Sequence, residues 1–162
     1  MKAAVLTVSD RVSRGEAEDK SGDALDELLR ADGYDVERRV VPDEREQIAE
    51  ALRDLAQAAR LVLSTGGTGL APRDVTPEAT RDVLDREAPG IAQALRADSI
   101  AKTPHGLLTR GVAGVAGSSL VVNLPGSTGG CRDGYAVLQP ALGHALSLLR
   151  DEPTHHQQTP VS

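Results

Sequence analysis

Residues 61–80 read LVLSTGGTGLAPRDVTPEAT, and this segment places an aliphatic run, a glycine-rich loop and a helix start in succession. The run Leu61–Ser64 is typical of a strand that is buried on both faces of a parallel sheet. The glycines of residues 66–69 let the backbone turn through positive φ. Thr76 and Pro77 are typical of a helix start, with threonine as N-cap and proline in the first turn. The segment therefore predicts a strand–loop–helix unit.

The same alternation extends along the rest of the chain. Short aliphatic runs at 3–8, 34–41 and 120–124 predict three further strands. Apolar residues at helical spacing predict helices that end at Gly33, begin at Asp43, and run over about 90–101 and 130–149, with a break or kink at Pro140. A short extended pair is expected within 106–117. These elements predict an α/β fold of three layers, a mostly parallel sheet with helices on both faces.

The composition limits the class of protein. The 162 residues contain no Phe, no Trp and two Tyr, so the core must be aliphatic. The 18 basic and 24 acidic residues give a net charge of −6, which counts against binding to nucleic acid or to anionic lipid. Length predicts one domain, over 1–150, followed by a flexible C-terminal tail at 151–162.

Cysteine usage and hydropathy indicate the compartment. Cys131 is the only cysteine, which excludes an internal disulfide framework and a cysteine-cluster metal site. No segment has the length of a membrane span, and the apolar run after Met1 is too short for a signal peptide. We therefore expect a cytoplasmic protein that is not associated with a membrane.

The unusual polar segments each follow a predicted strand. They are Ser9-Asp10-Arg11, Pro42-Asp43-Glu44, the glycine loop at 66–69, and Asn123-Leu124-Pro125-Gly126-Ser127. Ligands of open α/β sheets bind beyond the carboxyl ends of the strands. We therefore expect these loops to meet at one edge of the sheet.

The glycine loop has two interpretations. Successive amides at 66–69 can form an anion-binding nest, and Arg11, Arg73 and Arg110 could clamp phosphate oxygens. The loop is neither a Walker A motif nor a dinucleotide fingerprint. A tight strand-to-helix turn with solvated surface arginines is the competing interpretation.

Two aspartates are candidate magnesium ligands. Mg²⁺ commonly takes one or two carboxylates and completes its shell with water and substrate phosphates, and Asp43 and Asp74 could supply them. Structural roles compete with this interpretation. Asp43 and Glu46 have the spacing of a capping box, and Asp74 could cap a turn or pair with Arg73 or Arg81.

Taken together, the motifs resemble one known family. Val8-Ser9-Asp10-Arg11, Pro42-Asp43-Glu44, residues 65–69 with residues 73–80, and residues 122–127 occur in that order. This pattern resembles the MogA/MoaB family of molybdenum cofactor biosynthesis and is similar to the N-terminal domain of gephyrin, over about residues 3–150. The resemblance implies the molybdopterin-binding α/β fold and assembly as a homo-oligomer, often a trimer. It also implies transfer of AMP from ATP to molybdopterin, giving adenylylated molybdopterin and pyrophosphate for a molybdate-insertion enzyme.

The resemblance also assigns site residues. It implies that the family's two functional acids are Asp43 and Asp74, which we expect to hold Mg²⁺. The nucleotide is expected to contact Gly66, Gly67, Thr68, Gly69, Asn123, Pro125, Gly126 and Ser127. The pterin or its phosphate is expected to contact Ser9, Asp10, Arg11, Ser99 and Arg110.

Other functions of the same fold remain open. One is a non-catalytic molybdopterin-binding or scaffold protein, although the presence of both acids favours the enzyme. Another is a hydrolase, which would be expected to carry additional domains.

Overall fold

A computed structural model describes residues 1–150 of the chain. Its strands are β1 (Lys2–Val8), β2 (Asp35–Val41), β3 (Leu61–Thr65), β4 (Arg86–Glu87), β5 (Ala113–Ala116) and β6 (Ser119–Leu124). Its helices are α1 (Asp10–Ser13), α2 (Lys20–Ala31), α3 (Arg45–Ala58), α4 (Thr76–Arg81), α5 (Pro89–Lys102) and α6 (Thr128–Arg150), with a 3₁₀ helix at Pro104–Leu108. The predicted tail at 151–162 lies outside the described residues.

The strands form one mixed sheet in the order β2-β1-β3-β6-β5-β4. The pairs β1–β2, β1–β3 and β3–β6 are parallel, whereas β5 pairs antiparallel with both β6 and β4. Strand β2 lies on one side of β1 in the sheet, and β3 lies on the other side of β1. The strand order therefore reverses between β1 and β3, which is where open α/β sheets bind ligands.

Helices cover both faces of the sheet, as predicted. One aliphatic core lies between the sheet and α2, α5 and α6, and includes Leu25, Leu63 and Leu138. The other lies between the sheet and α3 and α4, and includes Leu6 and Ile48. The central strands β1, β3 and β6 are buried almost throughout, because a sheet covered on both faces requires apolar side chains on both sides. Among residues 1–150, the helices are all too short or too polar to cross a bilayer.

The structure corrects three local predictions. Helix α6 continues through Pro140, so the predicted break is absent, whereas the alternative of a kink stays a prediction. Pro140 and Ala136, whose carbonyl loses its intrahelical partner, are both exposed, so water can satisfy that carbonyl. The polar segment Ser9-Asp10-Arg11, which was expected to be a loop, contains the start of α1. Residues 106–117 hold one strand, β5, whose partners β4 and β6 lie outside that segment.

Candidate functional site

The carboxyl ends of the parallel strands lie side by side at one edge of the sheet. Val8 pairs in register with Val41, at the ends of β1 and β2. Thr65, at the end of β3, pairs with Thr7 of β1 and with Leu124 of β6. The polar segments that follow these strands therefore leave the sheet together, as expected from their positions in the sequence.

The glycine loop lies at the point where strand order reverses. Gly66 and Gly67 have φ values of 98° and 69°, which favour glycine. A side chain on Gly66 would overlap the carbonyl oxygen of Val8, so only glycine lets the loop lie against the end of β1. The predicted N-cap role of Thr76 is wrong, since Val75 occupies that position without a side-chain hydrogen bond. The buried Thr76 hydroxyl instead donates to the carbonyl of Gly66 at 3.0 Å.

Consecutive amides of the loop are available to a ligand. Within residues 1–150, the amides of Gly67, Thr68, Gly69 and Leu70 donate to no acceptor, whereas that of Ala71 donates to a side chain. Successive unpaired amides beside residues of positive φ form the concave arrangement that binds anions. Sequence reasoning missed Leu70, because an exposed leucine gives no sign that its backbone is part of the nest.

Asp43 and Asp10 link the loops that follow β1 and β2. The Asp10 amide donates to Asp43 Oδ2 at 2.9 Å, and the Asp43 amide donates to Asp10 Oδ1 at 3.0 Å. The other oxygen of Asp43, Oδ1, lies 3.2 Å from the position that a Cβ on Gly67 would occupy. Burial raises the pKa of Asp43, and the nearby carboxylates of Asp10 and Asp74 raise it further. The carboxylate therefore lies in a region of concentrated negative charge beside the glycine loop.

The capping-box interpretation of Asp43 and Glu46 is wrong. Helix α3 begins at Arg45, and its N-cap is Glu44, which makes no side-chain capping bond. Asp43 lies one residue too early to cap α3, and its Oδ2 accepts from the loop after β1 instead. Capping of α3 therefore does not explain the aspartate at position 43, whose side chain links the loops after β1 and β2.

Arg73 joins the same group of loops. Its Nε and Nη2 donate to the two carboxylate oxygens of Asp10 at 2.7 and 3.0 Å, and Nη2 also donates to Glu44 Oε1 at 3.0 Å. The Arg73 hydrogen bond lowers the pKa of Asp10 to about 2. Arg73 therefore connects the loops after β1, β2 and β3, and it does not form the predicted pair with Asp74.

Asp74 lies beside the glycine loop at Gly69. Its Oδ2 accepts from the Ala71 amide at 3.1 Å, so the predicted turn-capping role is present, whereas Arg81 pairs with a glutamate instead. Asp74 Oδ2 also lies 2.9 Å from the position of a Cβ on Gly69. Asp43 Oδ1 and Asp74 Oδ1 have no hydrogen-bond donor within residues 1–150. No group of three or more His, Cys, Asp and Glu side chains arranged for a metal occurs in that part of the chain.

Arg110 contacts the backbone carbonyl groups of the glycine loop. Its guanidinium donates to the carbonyls of Gly69 and Asp74 at 2.8 and 2.7 Å, and to Glu78 Oε1 at 2.7 Å. Its amide donates to the Thr68 carbonyl at 2.8 Å. The predicted contact between Arg110 and the pterin stays a prediction, and in this structure every nitrogen of the guanidinium already has a protein acceptor.

Asn123 is buried at the end of β6. Its Nδ2 donates to the hydroxyls of Ser64 and Thr80 at 2.9 and 3.0 Å, and its Oδ1 accepts from the Val112 amide at 3.1 Å. The side chain thus joins β6 to β3, to α4 and to the segment before β5. Both the oxygen and the nitrogen of the side-chain amide are therefore already bonded within the protein.

Two cavities open beside the loop after β6. The first, of about 420 Å³, is lined by Ser99, Asn123, Pro125 and Ser127 among the predicted residues. The second, of about 400 Å³, is lined by Ser9, Arg11, Gly66, Gly126 and Ser127 among them. Ser127 belongs to both walls, so the cavities are neighbours across the 125–127 segment. Neither of these two cavities is lined by Asp43 or Asp74, which lie beside the glycine loop.

These features define a class of protein. The chain is an open α/β domain with a loop of unpaired amides at the reversal of strand order, two carboxylates beside that loop and two adjoining cavities. Such an arrangement suits a ligand that carries phosphate groups.

Comparison with known proteins gives the family. The family model described as a probable molybdopterin binding domain matches residues 4–144, and the chain belongs to this family. It is 37% identical over 150 residues to molybdopterin adenylyltransferase of Helicobacter pylori strain J99, covering 90% of this chain and 85% of that protein. It is 39% identical over 152 residues to the molybdenum cofactor synthesis protein cinnamon of Drosophila melanogaster, covering 91% of this chain but 25% of that protein. The chain thus spans about a quarter of the length of some curated relatives.

Solved structures agree with this assignment. The molybdopterin biosynthesis enzyme MoaB of Thermus thermophilus is 47% identical, with a TM-score of 0.86, and the match covers 94% of this chain and 98% of that one. The Mog protein of Mycobacterium ulcerans is 43% identical, with a TM-score of 0.87, and the match covers 91% of this chain and 98% of that one. The predicted family and the predicted three-layer α/β fold are therefore confirmed.

Proposed function

We propose that the protein is a molybdopterin adenylyltransferase of molybdenum cofactor biosynthesis, which transfers AMP from ATP to molybdopterin. The observation that carries this proposal is the run of unpaired amides at Gly67–Leu70, with two carboxylates, Asp43 and Asp74, beside it. The curated relatives named molybdopterin adenylyltransferase support it, including that of Haemophilus influenzae, 41% identical over 131 residues.

The loop amides bind the phosphates of ATP. Phosphate oxygens accept hydrogen bonds from backbone N–H groups, and a nest of such groups holds an anion without a lysine. This suits a chain of net charge −6, in which no overall positive field attracts the nucleotide. The nucleotide then extends towards Asn123, Pro125, Gly126 and Ser127. The pterin is held near Ser9, Asp10 and Arg11, whereas Ser99 lines the cavity that also contains Asn123 and Pro125.

Asp43 and Asp74 fit a magnesium ion. Both carboxylates retain an oxygen without a donor in the described chain, and carboxylate oxygens are the protein ligands that Mg²⁺ prefers. The raised pKa of Asp43 reflects burial and neighbouring negative charge, which a divalent cation would offset. When bound, Mg²⁺ neutralises phosphate charge and stabilises the leaving pyrophosphate.

The reaction requires positioning more than acid–base catalysis. An oxygen of the terminal phosphate of molybdopterin forms a bond to the α-phosphorus of ATP. The bond from that phosphorus to the bridging oxygen breaks, and its electron pair leaves with pyrophosphate. Because the attacking phosphate is already an anion at neutral pH, no side chain needs to remove a proton. The chain's contribution is to align the two phosphates and to reduce the repulsion between them.

Other properties follow from the family resemblance alone. They are assembly as a trimer, transfer of the product to a molybdate-insertion enzyme, and a location in the cytoplasm. These stay predictions.

The test is product analysis with ATP, Mg²⁺ and freshly prepared molybdopterin. We compare the wild type with Asp74→Asn, because asparagine keeps an oxygen for the Ala71 amide while losing the charge. Asp85→Asn is the matched control. Asp85 also accepts from a backbone amide, that of Gly117 at 2.7 Å, but it directly precedes β4 and contacts the β5–β6 turn instead of the glycine loop.

The expected result is adenylylated molybdopterin and pyrophosphate from the wild type and from Asp85→Asn. Turnover by Asp74→Asn should fall by about a hundredfold or more, since a metal-ligand interaction in phosphoryl transfer contributes several kcal/mol. Near-normal turnover by Asp74→Asn would show that Asp74 does not hold the metal. Tight binding of molybdopterin with no product from the wild type would favour the scaffold function instead.

A further inference from the structure

Three backbone carbonyl groups between residues 68 and 74 accept hydrogen bonds from one residue, Arg110. The Thr68 carbonyl accepts from the Arg110 amide, and the Gly69 carbonyl accepts from Arg110 Nε, both at 2.8 Å. The Asp74 carbonyl accepts from Arg110 Nη2 at 2.7 Å. Arg110, which is 41 positions after Gly69 and 32 after Glu78 in the sequence, thus holds the backbone of the loop.

These contacts determine where the loop amides point. The peptide bonds are trans, so the C=O and N–H of one peptide unit point in opposite directions. When the Thr68 carbonyl faces Arg110, the Gly69 amide faces away from it. In the next peptide unit, the Gly69 carbonyl faces Arg110, so the Leu70 amide also points away from Arg110. The main chain of Arg110 therefore orients the Gly69 amide, and its guanidinium orients the Leu70 amide; neither amide has a protein acceptor within residues 1–150.

The same guanidinium positions the segment that carries Asp74. Its bond to the Asp74 carbonyl ties the glycine loop and the Asp74 turn to a single planar group. Glu78, on α4, accepts from Nη1 at 2.7 and 3.2 Å and holds that plane in place. Both side chains are about one-third exposed, so the pair lies at the boundary of the core.

We propose that Arg110 is a positioning residue for phosphate binding, which acts through the backbone of residues 68–74 and does not contact the pterin. This inference rests on the proposed function, because it assumes that the loop amides bind ATP. Lysine cannot replace arginine here, since an ammonium group donates from one point whereas the guanidinium reaches three acceptors in a fixed plane.

The first experiment is steady-state kinetics of Arg110→Lys with each substrate varied. Arg81→Lys is the control, because Arg81 also pairs with a glutamate, Glu87 at 2.8 Å, but makes no bond to the glycine loop. We expect the KM for ATP to rise about tenfold in Arg110→Lys, with an unchanged KM for molybdopterin and unchanged constants in Arg81→Lys. A rise in the KM for molybdopterin alone would overturn the inference and indicate direct contact with the pterin.

The second experiment separates this inference from the proposed function. Amide chemical shifts of the unliganded protein are compared between the wild type and Arg110→Lys, with Arg81→Lys again as control. Changes at residues 66–76, beyond those at Glu78 and next to the substituted position, support the positioning role even if the wild type shows no adenylyl transfer. An unchanged loop refutes the positioning role even if the transferase activity is established.

A variant with a smaller perturbation covers the case in which Arg110→Lys does not fold. Glu78→Gln keeps the shape of the side chain but removes the charge that holds Nη1. It should shift the same loop amides and raise the KM for ATP by a smaller factor. A Glu78→Gln protein with wild-type loop shifts and a wild-type KM for ATP would contradict the inference.

Discussion

Replacement of Gly67 by alanine tests the geometry of the glycine loop. Gly67 has a φ of 69°, where a residue with a Cβ is strained by about 1–2 kcal/mol. The new methyl group would also overlap Thr76 Oγ1 and displace it from its 3.0 Å bond to the Gly66 carbonyl. Thr76 is fully buried, so loss of that bond costs about 1–3 kcal/mol. The two effects together predict that the free energy of unfolding falls by about 2–5 kcal/mol.

Gly117 provides the matched control. Its φ is 61°, but a Cβ at that position meets no atom within 4 Å. Gly117→Ala therefore carries only the backbone strain, about 1–2 kcal/mol. Urea unfolding followed by far-UV circular dichroism measures both variants, since the chain has no tryptophan to serve as a fluorescent probe. Titration calorimetry with ATP and Mg²⁺ then compares nucleotide affinity.

The difference between the two variants isolates the contact with Thr76. Equal losses of stability would refute the argument that Thr76 confines Gly67. We also expect weaker ATP binding in Gly67→Ala and unchanged binding in Gly117→Ala, because only the first change disturbs the loop amides. An unchanged ATP affinity in a destabilised Gly67→Ala protein would remove the loop from the nucleotide site.

Two further predictions concern buried polar groups. Burial raises the pKa of the Cys131 thiol to about 11 from an ordinary value of 9.0, so its reaction with Ellman's reagent at pH 8 should be slow in the native protein and fast in urea. A native reactivity equal to that of free cysteine would contradict the burial of the thiol. Because the folded-state pKa is the higher one, the contribution of Cys131 to stability is present below pH 9.0 and is lost as the pH rises towards 11. Asn123→Leu leaves the partners of Asn123 at Ser64, Thr80 and Val112 without its hydrogen bonds and should lower the free energy of unfolding by at least about 2 kcal/mol in urea titrations. A loss below about 0.5 kcal/mol, the range of a neutral surface substitution, would mean that water or local movement replaces these bonds.

The sequence allowed the strands and the glycine loop to be predicted because their signals are local. Bare aliphatic runs identify β1, β3 and β6, and a cluster of glycines after a strand identifies the turn. The meeting of the polar segments at one edge followed from the parallel sheet alone. Each of these inferences needs only residues that are neighbours in the chain.

The rest depended on partners that are distant in sequence. Asp43 has the local pattern of a helix cap, but Asp10, 33 residues earlier, accounts for its position. The acceptors of the Arg110 guanidinium lie between 32 and 41 residues away, on the glycine loop, at Asp74 and on α4. Side-chain direction at such positions depends on the packed fold, so periodicity and spacing could not supply it.

The ends of the sheet have a consequence for how copies of the chain can associate. Strand β4 has only two residues, Arg86 and Glu87, and both are exposed. At the other end, β2 exposes the charged side chains of Glu37 and Arg38. The shortness of β4 and the charged side chains of β2 each discourage intermolecular strand addition, which would otherwise join two sheets edge to edge. Open-ended growth through the sheet is therefore disfavoured.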